Sequence, residues 1–134
     1  MADAVTSQTI IDGSKTAVLK FTNVSDGSGE SAVTKVDVSA LSSNSIGQSC
    51  TGASIQKIWW QCIGMKVQIL FDATSDVLAI ELGENQSGYH DYSNFGGIPN
   101  NAGSGKTGDI QFTTVGHTSA DSYTIILEVN KEYG

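Results

Sequence analysis

Apolar residues alternate with polar residues along most of this chain. The stretch 64–73, GMKVQILFDA, places Met65, Val67, Ile69 and Phe71 on one side. A period of two is the pattern of a β-strand with one buried face. In the other alternating segments, the residues expected to face the core are Ala17, Leu19, Phe21, Val36, Val38, Ala40, Ile58, Trp60, Cys62, Leu78, Ile80, Leu82, Ile110, Phe112, Thr114, Tyr123, Ile125, Leu127 and Val129.

Turn-forming segments divide this pattern into separate strands. SDGSGES, SSNSIGQSCTG, TSD, GENQSG and GHTSAD are rich in Gly, Ser, Asn and Asp, the residues that turns favour. No segment keeps a helical period, and SDVLAIELG is interpreted as a strand because of its alternating, β-branched content. We therefore predict seven strands, or eight if SQTIID near the start is counted. The predicted fold class is all-β: one domain over residues 1–134, a single antiparallel β-sandwich or jelly roll of about 7–9 strands.

Two segments depart from this pattern. Residues 1–12 are expected to form an extended N-terminal arm or an edge strand, with Val5, Ile10 and Ile11 as its apolar side chains. Residues 83–106 form a long excursion rich in Gly and Asn. Excursions of this length in a compact domain usually serve a function or are ordered by a partner. The aromatic residues of this excursion are therefore candidate contacts: Tyr89, Tyr92 and Phe95.

Trp59 and Trp60 are adjacent within a predicted strand. Successive side chains of a strand point to opposite faces, so only one of the two indoles can face the core. Trp60 shares the inward positions, which leaves Trp59 on the outer face. A large aromatic residue there marks an interface, or it is covered by another part of the same chain, such as 83–106. The sequence leaves both alternatives open.

Charge excludes several classes of partner. The chain has 14 acidic residues against 7 scattered lysines, no arginine and a net charge of −7. Nucleic-acid binding requires a basic surface, so neither nucleic acid nor an anionic membrane is expected as a partner. The N-terminal residues lack the charged and apolar regions of a signal peptide, and no stretch is long and apolar enough to span a membrane. We expect a soluble protein made in the host cytoplasm.

The stretch GSGKT at 103–107 resembles the end of a phosphate-binding P-loop. The complete motif requires a glycine where this chain has Asn100. It also requires a buried strand before it and a helix after it, whose N-terminal amides bind the phosphates. Here the following residues, GDIQFTTV, predict a strand instead. We interpret the segment as a glycine-rich loop with a solvated Lys106.

The other residues that could form a catalytic or metal-binding site lack the number or the spacing that such a site requires. Cys50 and Cys62 are expected to be reduced thiols, because the cytosol disfavours a disulfide between them, and no second pair of ligands completes a zinc site. His90 and Asp91 point to opposite faces if they lie on a strand, and the turn holding His117, Ser119 and Asp121 is too short for triad geometry. A calcium ion at Asp72, Asp76 and Glu81 is a minor alternative, because this region lacks the spacing of a calcium loop. No enzymatic activity, cofactor or metal is predicted.

Longer stretches of the chain resemble a group of small virion structural proteins of tailed bacteriophages. The phrases FTNVSDG, NNAGSGKTGDI and FTTVGH carry the resemblance, which covers nearly the whole sequence. It implies a non-enzymatic virion component, a capsid decoration (cement) protein on the capsid surface. Its implied partners are the major capsid protein and copies of itself, as a homo-oligomer on the particle. The resemblance brings no catalytic residues with it.

Two further functions stay open. A carbohydrate-binding or adsorption module of the virion would use aromatic side chains as stacking platforms. A tail or neck component would be structural, but would be present in fewer copies than a capsid protein. The candidate contact residues for any of these roles are Val5, Ile10, Ile11, Trp59, Tyr89, Tyr92 and Phe95.

Overall fold

The computed structural model describes residues 4–44, 46–100, 104–116 and 118–133, and of Ala4 and Phe95 only the backbone. In these ranges the chain forms nine β-strands and two short 3-10 helices, Val38–Ala40 and Ser93–Phe95. Neither helix is long and apolar enough to cross a membrane. The all-β prediction is confirmed. The strands are β1 (Ala4–Asp12), β2 (Thr16–Val24), β3 (Val33–Val36), β4 (Cys50–Ile63), β5 (Lys66–Phe71), β6 (Val77–Leu82), β7 (Ser87–Asp91), β8 (Ile110–Val115) and β9 (Ser122–Tyr133).

Two antiparallel sheets face each other in a sandwich. One sheet has the order β1-β2-β9-β4-β7 and the other the order β3-β8-β5-β6. The pairings are nested along the chain, because β2 pairs with β9, β3 with β8, β4 with β7 and β5 with β6. This nesting is the order of a jelly roll. Strand β1 extends the first sheet by pairing with β2.

The core lies between the sheets and consists mostly of inward positions that the alternation predicts, together with Cys50, Ala53 and Ile55 of β4. Phe112 is at its centre, with edge-to-face contacts to Phe21 at 5.3 Å and to Tyr123 at 5.7 Å between ring centroids. Tyr123 is buried but keeps its hydroxyl satisfied, since it donates to Glu30 Oε1 at 2.7 Å. Glu30 also pairs with Lys35, so this buried carboxylate has a counter-ion.

The inward assignment is wrong at two places. The segment after Val36 does not continue as a strand: residues 38–40 form a 3-10 helix, capped by the Asp37 side chain, which accepts from Ser39 N at 3.0 Å. Ala40 is consequently exposed. In β6, a register shift opposite Ile69 and Leu70 inverts the alternation, so Leu78 points outward and is 51% exposed.

The excursion 83–106 is more ordered than its composition predicts. It contains β7, which pairs with β4, and a 3-10 helix. Its later part is tied to β4 by an isolated bridge between Ile55 and Ile98, and by Gln56 Nε2, which donates to Gly96 O at 2.8 Å. Pairing with β4 therefore orders this glycine-rich segment. Residues 101–103 lie outside the described residues.

The N-terminal segment is an edge strand over Ala4–Asp12 rather than a free arm, and residues 1–3 lie outside the described residues. Its C-terminal end is anchored by Lys131 of β9, whose side chain is fully buried. Lys131 Nζ donates to Asp12 Oδ1 at 2.6 Å, Gly13 O at 2.8 Å and Ser42 O at 2.7 Å. The ion pair thus joins β1, the turn after it and the loop after the first 3-10 helix to the centre of the sheet.

Candidate binding surface

The side of the β1-β2-β9-β4-β7 sheet that faces away from the core is called here the outer face. Residues directly opposite each other on antiparallel strands share a face, so the register defines its rows. One row runs Gln8, Lys20, Ile126, Trp59 and Tyr89 from β1 to β7. No described element packs over the β4–β7 end of this row, because Trp59 and Tyr89 remain 38% and 47% exposed.

Trp59 and Tyr89 form an aromatic pair at one end of the outer face. They are direct partners on β4 and β7, and their rings stack with centroids 5.1 Å apart and planes inclined by 27°. The alternative that 83–106 covers Trp59 is thus realised in part, and the interface stays a prediction. The segment 83–106 contributes one ring that covers Trp59, and the pair as a whole remains open to solvent.

A charged row lies beside the aromatic pair. Lys57 Nζ is 3.8 Å from Glu128 Oε2, and Asp91 is the register partner of Lys57 on β7. Hydrogen bonds from the side chain and the backbone of Ser93 hold the pKa of Asp91 below its ordinary value. Both signs of charge are therefore present next to the rings, and the acidic partner at the edge stays ionised at neutral pH.

Further apolar side chains extend over the rest of the outer face. Ile11 and Val18 are paired on β1 and β2, and Val24 and Ile63 lie at the other end of the sheet, separated by Ser122. Val24, Ile63 and Ile11 are 52%, 50% and 52% exposed. The intervening row is uncharged and polar: Thr6, Thr22, Thr124, Gln61 and Ser87.

The structure separates the predicted contact residues into groups. Trp59 and Tyr89 come together, but Ile11 lies at the opposite edge of the same sheet, and Ile10 occupies the register shift beside it. Val5 is opposite the buried Asn23, so it shares the inward face, yet it is 41% exposed because β1 overhangs the sandwich. The outer-face residues that the sequence reasoning missed occupy the outward positions of the same alternating strands: Val18, Val24, Ile63 and Ile126.

Tyr92 belongs to a different environment from Tyr89. It is half-buried against the core, and its ring stacks with His90 at 6.0 Å, which in turn stacks with Trp60 at 6.4 Å. Burial raises the pKa of the Tyr92 hydroxyl. This aromatic series supports β7 from the side of the core, so we assign Tyr92 to the fold. Phe95 lies in the second 3-10 helix, and the position of its side chain lies outside what the structure describes.

The loop that resembles a P-loop is bonded to the turn between β5 and β6. Thr107 Oγ1 donates to Asp72 Oδ2 at 2.7 Å, and Thr74 N donates to Ser104 O at 3.2 Å. Gly108 has φ of +87°, and a Cβ there would lie 2.1 Å from Thr51 O. The strand predicted downstream is confirmed, since β8 begins at Ile110. Gly108 therefore allows the loop to pack closely against Thr51, and the hydroxyl group of Thr107 is bonded to the carboxylate of Asp72.

The remaining candidates do not assemble into a site in the described ranges. Cys50 and Cys62 are buried and unbridged, and burial raises the pKa of Cys62 to about 11. No group of three His, Cys, Asp or Glu side chains there could hold a metal ion. Asp121 accepts from Thr118 N at 2.8 Å within its turn, and His117 lies outside the described residues.

Comparison with known proteins gives a likeness of fold only. No family model matches the chain, and no curated protein matches it. A cupin superfamily protein from Desulfitobacterium hafniense is 11% identical over 98% of this chain and 80% of its own, with a TM-score of 0.37. A cupin domain from Bordetella pertussis is 8% identical over 98% and 97%, with a TM-score of 0.38. A family 29 carbohydrate binding module is 9% identical over 95% and 88%, with a TM-score of 0.38.

Proposed function

We propose that this protein is a non-enzymatic structural component of a bacteriophage virion, a capsid decoration protein that docks on the head through its outer face. The observation that carries the docking surface is the concentration of exposed apolar side chains on one sheet. Of the eleven large hydrophobic residues exposed in the described ranges, five lie on the outer face. They are Ile11, Val24, Trp59, Ile63 and Tyr89.

The composition of this face suits a protein partner. Exposed apolar groups gathered on one face of a small domain are typical of interaction sites, and non-obligate interfaces mix aromatic and aliphatic groups with polar ones. Here hydroxyl and amide side chains separate the apolar positions, and the Lys57–Glu128 pair adds both signs of charge. A paired sheet also presents these groups with little conformational freedom, so docking loses little entropy. The phage assignment itself rests on the sequence resemblance.

The test is re-attachment to particles that lack the protein. Wild-type protein should co-sediment with such particles, while Trp59→Glu should bind at least roughly ten-fold more weakly, because it replaces the largest aromatic side chain of the outer face by a charge. Leu78→Glu is the matched control: Leu78 is 51% exposed, but it lies on the outside of the other sheet. This control should bind like wild type.

Two results would count against the proposal. Equal attachment of both variants would remove the outer face as the docking surface. Quantitative mass spectrometry of purified particles provides a separate measurement, because a decoration protein follows the copy number of the capsid protein. A protein present in a few copies, with density at the neck or tail, would instead be a tail or neck component.

A carbohydrate-binding function is the second candidate, and the Trp59–Tyr89 pair favours it. Exposed aromatic rings beside hydrogen-bonding side chains are a common form of small-ligand site. Lys57, Glu128 and Asp91 stand in the neighbouring row and would bond sugar hydroxyls. The stacking limits this function, since each ring covers one face of the other and leaves one face for a sugar. We therefore rank it below protein docking.

A glycan array distinguishes the two candidates. A carbohydrate module should bind a defined set of glycans, lose that binding in Trp59→Ala and keep it in Leu78→Glu. A decoration protein should bind no glycan on the array and should still attach to particles. Binding that survives Trp59→Ala would mean that the aromatic pair is not the sugar site.

A further inference from the structure

Strand β1 differs from the other edge strands of the sandwich. It is nine residues long, whereas β7, β3 and β6 have five, four and six residues. From Ala4 to Ile11 it reads AVTSQTII, without a charged residue or proline. From Val5 to Asp12 every residue of β1 is exposed, although these residues are in strand conformation.

An edge of this kind is a template for another strand. Half of the backbone N–H and C=O groups of an edge strand point away from its neighbour, where no ladder uses them. Proteins usually protect such edges by keeping them short, bending them with bulges or placing charges on them. The only register shift in the β1–β2 pair falls between Thr9 and Ile11, near the end of the strand. Residues 4–9 are left as a neutral edge without a register shift.

Strand β1 is already ordered in the single chain. Asp12 is bonded to the buried Lys131, and Ser42 N donates to Asp12 Oδ2 at 2.8 Å, so the C-terminal end of β1 is fixed to the sandwich. Register with β2 continues from there to Ala4. Because the strand is already ordered, a partner that pairs with it does not have to supply the entropy of ordering an unfolded arm.

We propose that β1 pairs antiparallel with β1 of a second copy of this chain, which joins two five-stranded sheets into one continuous sheet about a two-fold axis near Ser7. In such an isologous contact the same strand of both copies forms the interface, so that residue i of one copy faces residue j of the other, and j faces i. With Ser7 on the axis, Thr6 lies opposite Gln8 and Val5 opposite Thr9 of the second copy, which are compatible neutral pairs.

The segment that would form the contact is itself uncharged. Each copy carries a net charge of −7, but no residue from Ala4 to Ile11 is charged. Asp12 at the end of β1 is compensated by Lys131, and the two Asp12 residues would lie about 33 Å apart along the paired strands, beyond the Debye length of about 8 Å at physiological salt. Asp3 precedes the strand and lies outside the described residues. This inference does not depend on the proposed virion function, because it concerns the isolated protein.

The first test measures self-association of the full chain by sedimentation velocity over a range of concentrations. Wild type should form a dimer, and Ser7→Lys should weaken dimerisation at least roughly ten-fold, because two ammonium groups meet at the axis. Ser87→Lys is the control, since it places the same charge on β7, at the opposite edge. It should dimerise like wild type. A wild type that stays monomeric at roughly 100 µM would overturn the proposal.

Single cysteines provide a second measurement that does not depend on Ser7→Lys remaining folded. Thr6→Cys, Ser7→Cys and Gln8→Cys should each be oxidised to disulfide-linked dimers, most efficiently at the residue closest to the axis. The native Cys50 and Cys62 are buried and should not compete. Ser87→Cys should link poorly. Equal linking at residues 7 and 87, or dimers that Ser87→Lys disrupts instead, would assign the contact to another edge and refute the β1 pairing.

Discussion

Replacing Lys131 by methionine should destabilise the folded protein by about 3 kcal/mol. Methionine keeps most of the apolar stem but removes the ammonium group. Lys131 Nζ donates to Asp12, to the carbonyl oxygens of Gly13 and Ser42, and to Ser42 Oγ at 3.1 Å. The Lys131 side chain is 0% exposed, so it has no water to replace these partners.

The magnitude follows from what the substitution leaves behind. Removing one partner of a fully buried ion pair costs about 3–5 kcal/mol, because the other charge loses its compensation. Asp12 here keeps its hydrogen bond from Ser42 N, and its side chain is 24% exposed, so water replaces part of the loss. The expected cost therefore lies at the lower end of that range. At this chain length it corresponds to a melting temperature lower by about 10 °C.

The measurement is urea unfolding of wild type, Lys131→Met and Lys66→Met. The control removes an ion pair as well, but an exposed one: Lys66 Nζ is 3.7 Å from Glu81, and the two side chains are 46% and 40% exposed. That pair should contribute less than about 0.5 kcal/mol. If Lys131→Met lies within about 1 kcal/mol of wild type, the anchor does not stabilise the fold as argued.

The pH dependence gives an independent check. Burial alone would raise the pKa of Asp12, but hydrogen bonds from Lys131 and Ser42 outweigh it and hold the pKa below 3.8. The folded pKa is thus below the unfolded one, so this stabilisation is present above pH 3.8 and is lost as the pH falls through the folded value. The difference between wild type and Lys131→Met should be constant near neutrality and should shrink below pH 3.8. A difference that is unchanged in acid would contradict the ion-pair assignment.

Three further predictions concern the core, the glycine loop and the thiols. Phe71→Ala and Leu127→Ala, which empty buried positions, should each cost about 3 kcal/mol in urea unfolding, and a loss below about 1 kcal/mol would mean that the sites collapse. Gly108→Ala should cost about 2 kcal/mol more than Gly47→Ala, because both have positive φ but only Gly108 meets a backbone atom; equal costs would refute the close packing. Burial raises the pKa of Cys62 to about 11, so a thiol reagent at pH 8 should label it only when the protein unfolds, and rapid labelling of native protein would show that the thiol is accessible.

Local pattern was sufficient for most of the strands. The segments around Phe71 and Leu127 are buried on the faces that their alternation predicts. Alternation succeeds there because one face of each strand packs on the core for its whole length. It fails at Leu78, because β6 has an extra residue, Ala79, between the partners of Leu70 and Ile69. This shift is defined only by the pairing of β6 with β5, and the alternation within VLAIEL does not show it.

Strand β7 is a second element that its own sequence does not predict. SGYHD has neither a regular alternation nor an apolar run, and all five residues are exposed. It is a strand because β4 offers it a partner edge, and pairing across a sheet is a non-local interaction that composition does not encode.

The chain's own sequence determined the all-β class, the inward residues of the regular strands, the acidic charge and the outward position of Trp59, because each depends on composition or on the period of a single segment. Only the tertiary structure decided the candidate surface. It brought Tyr89 against Trp59, put Ile11 at the far edge of the same sheet and assigned Tyr92 to the core side. The order of strands in a sheet arises from pairings between distant segments, so the residues that share a face across strands are defined only when those pairings have formed.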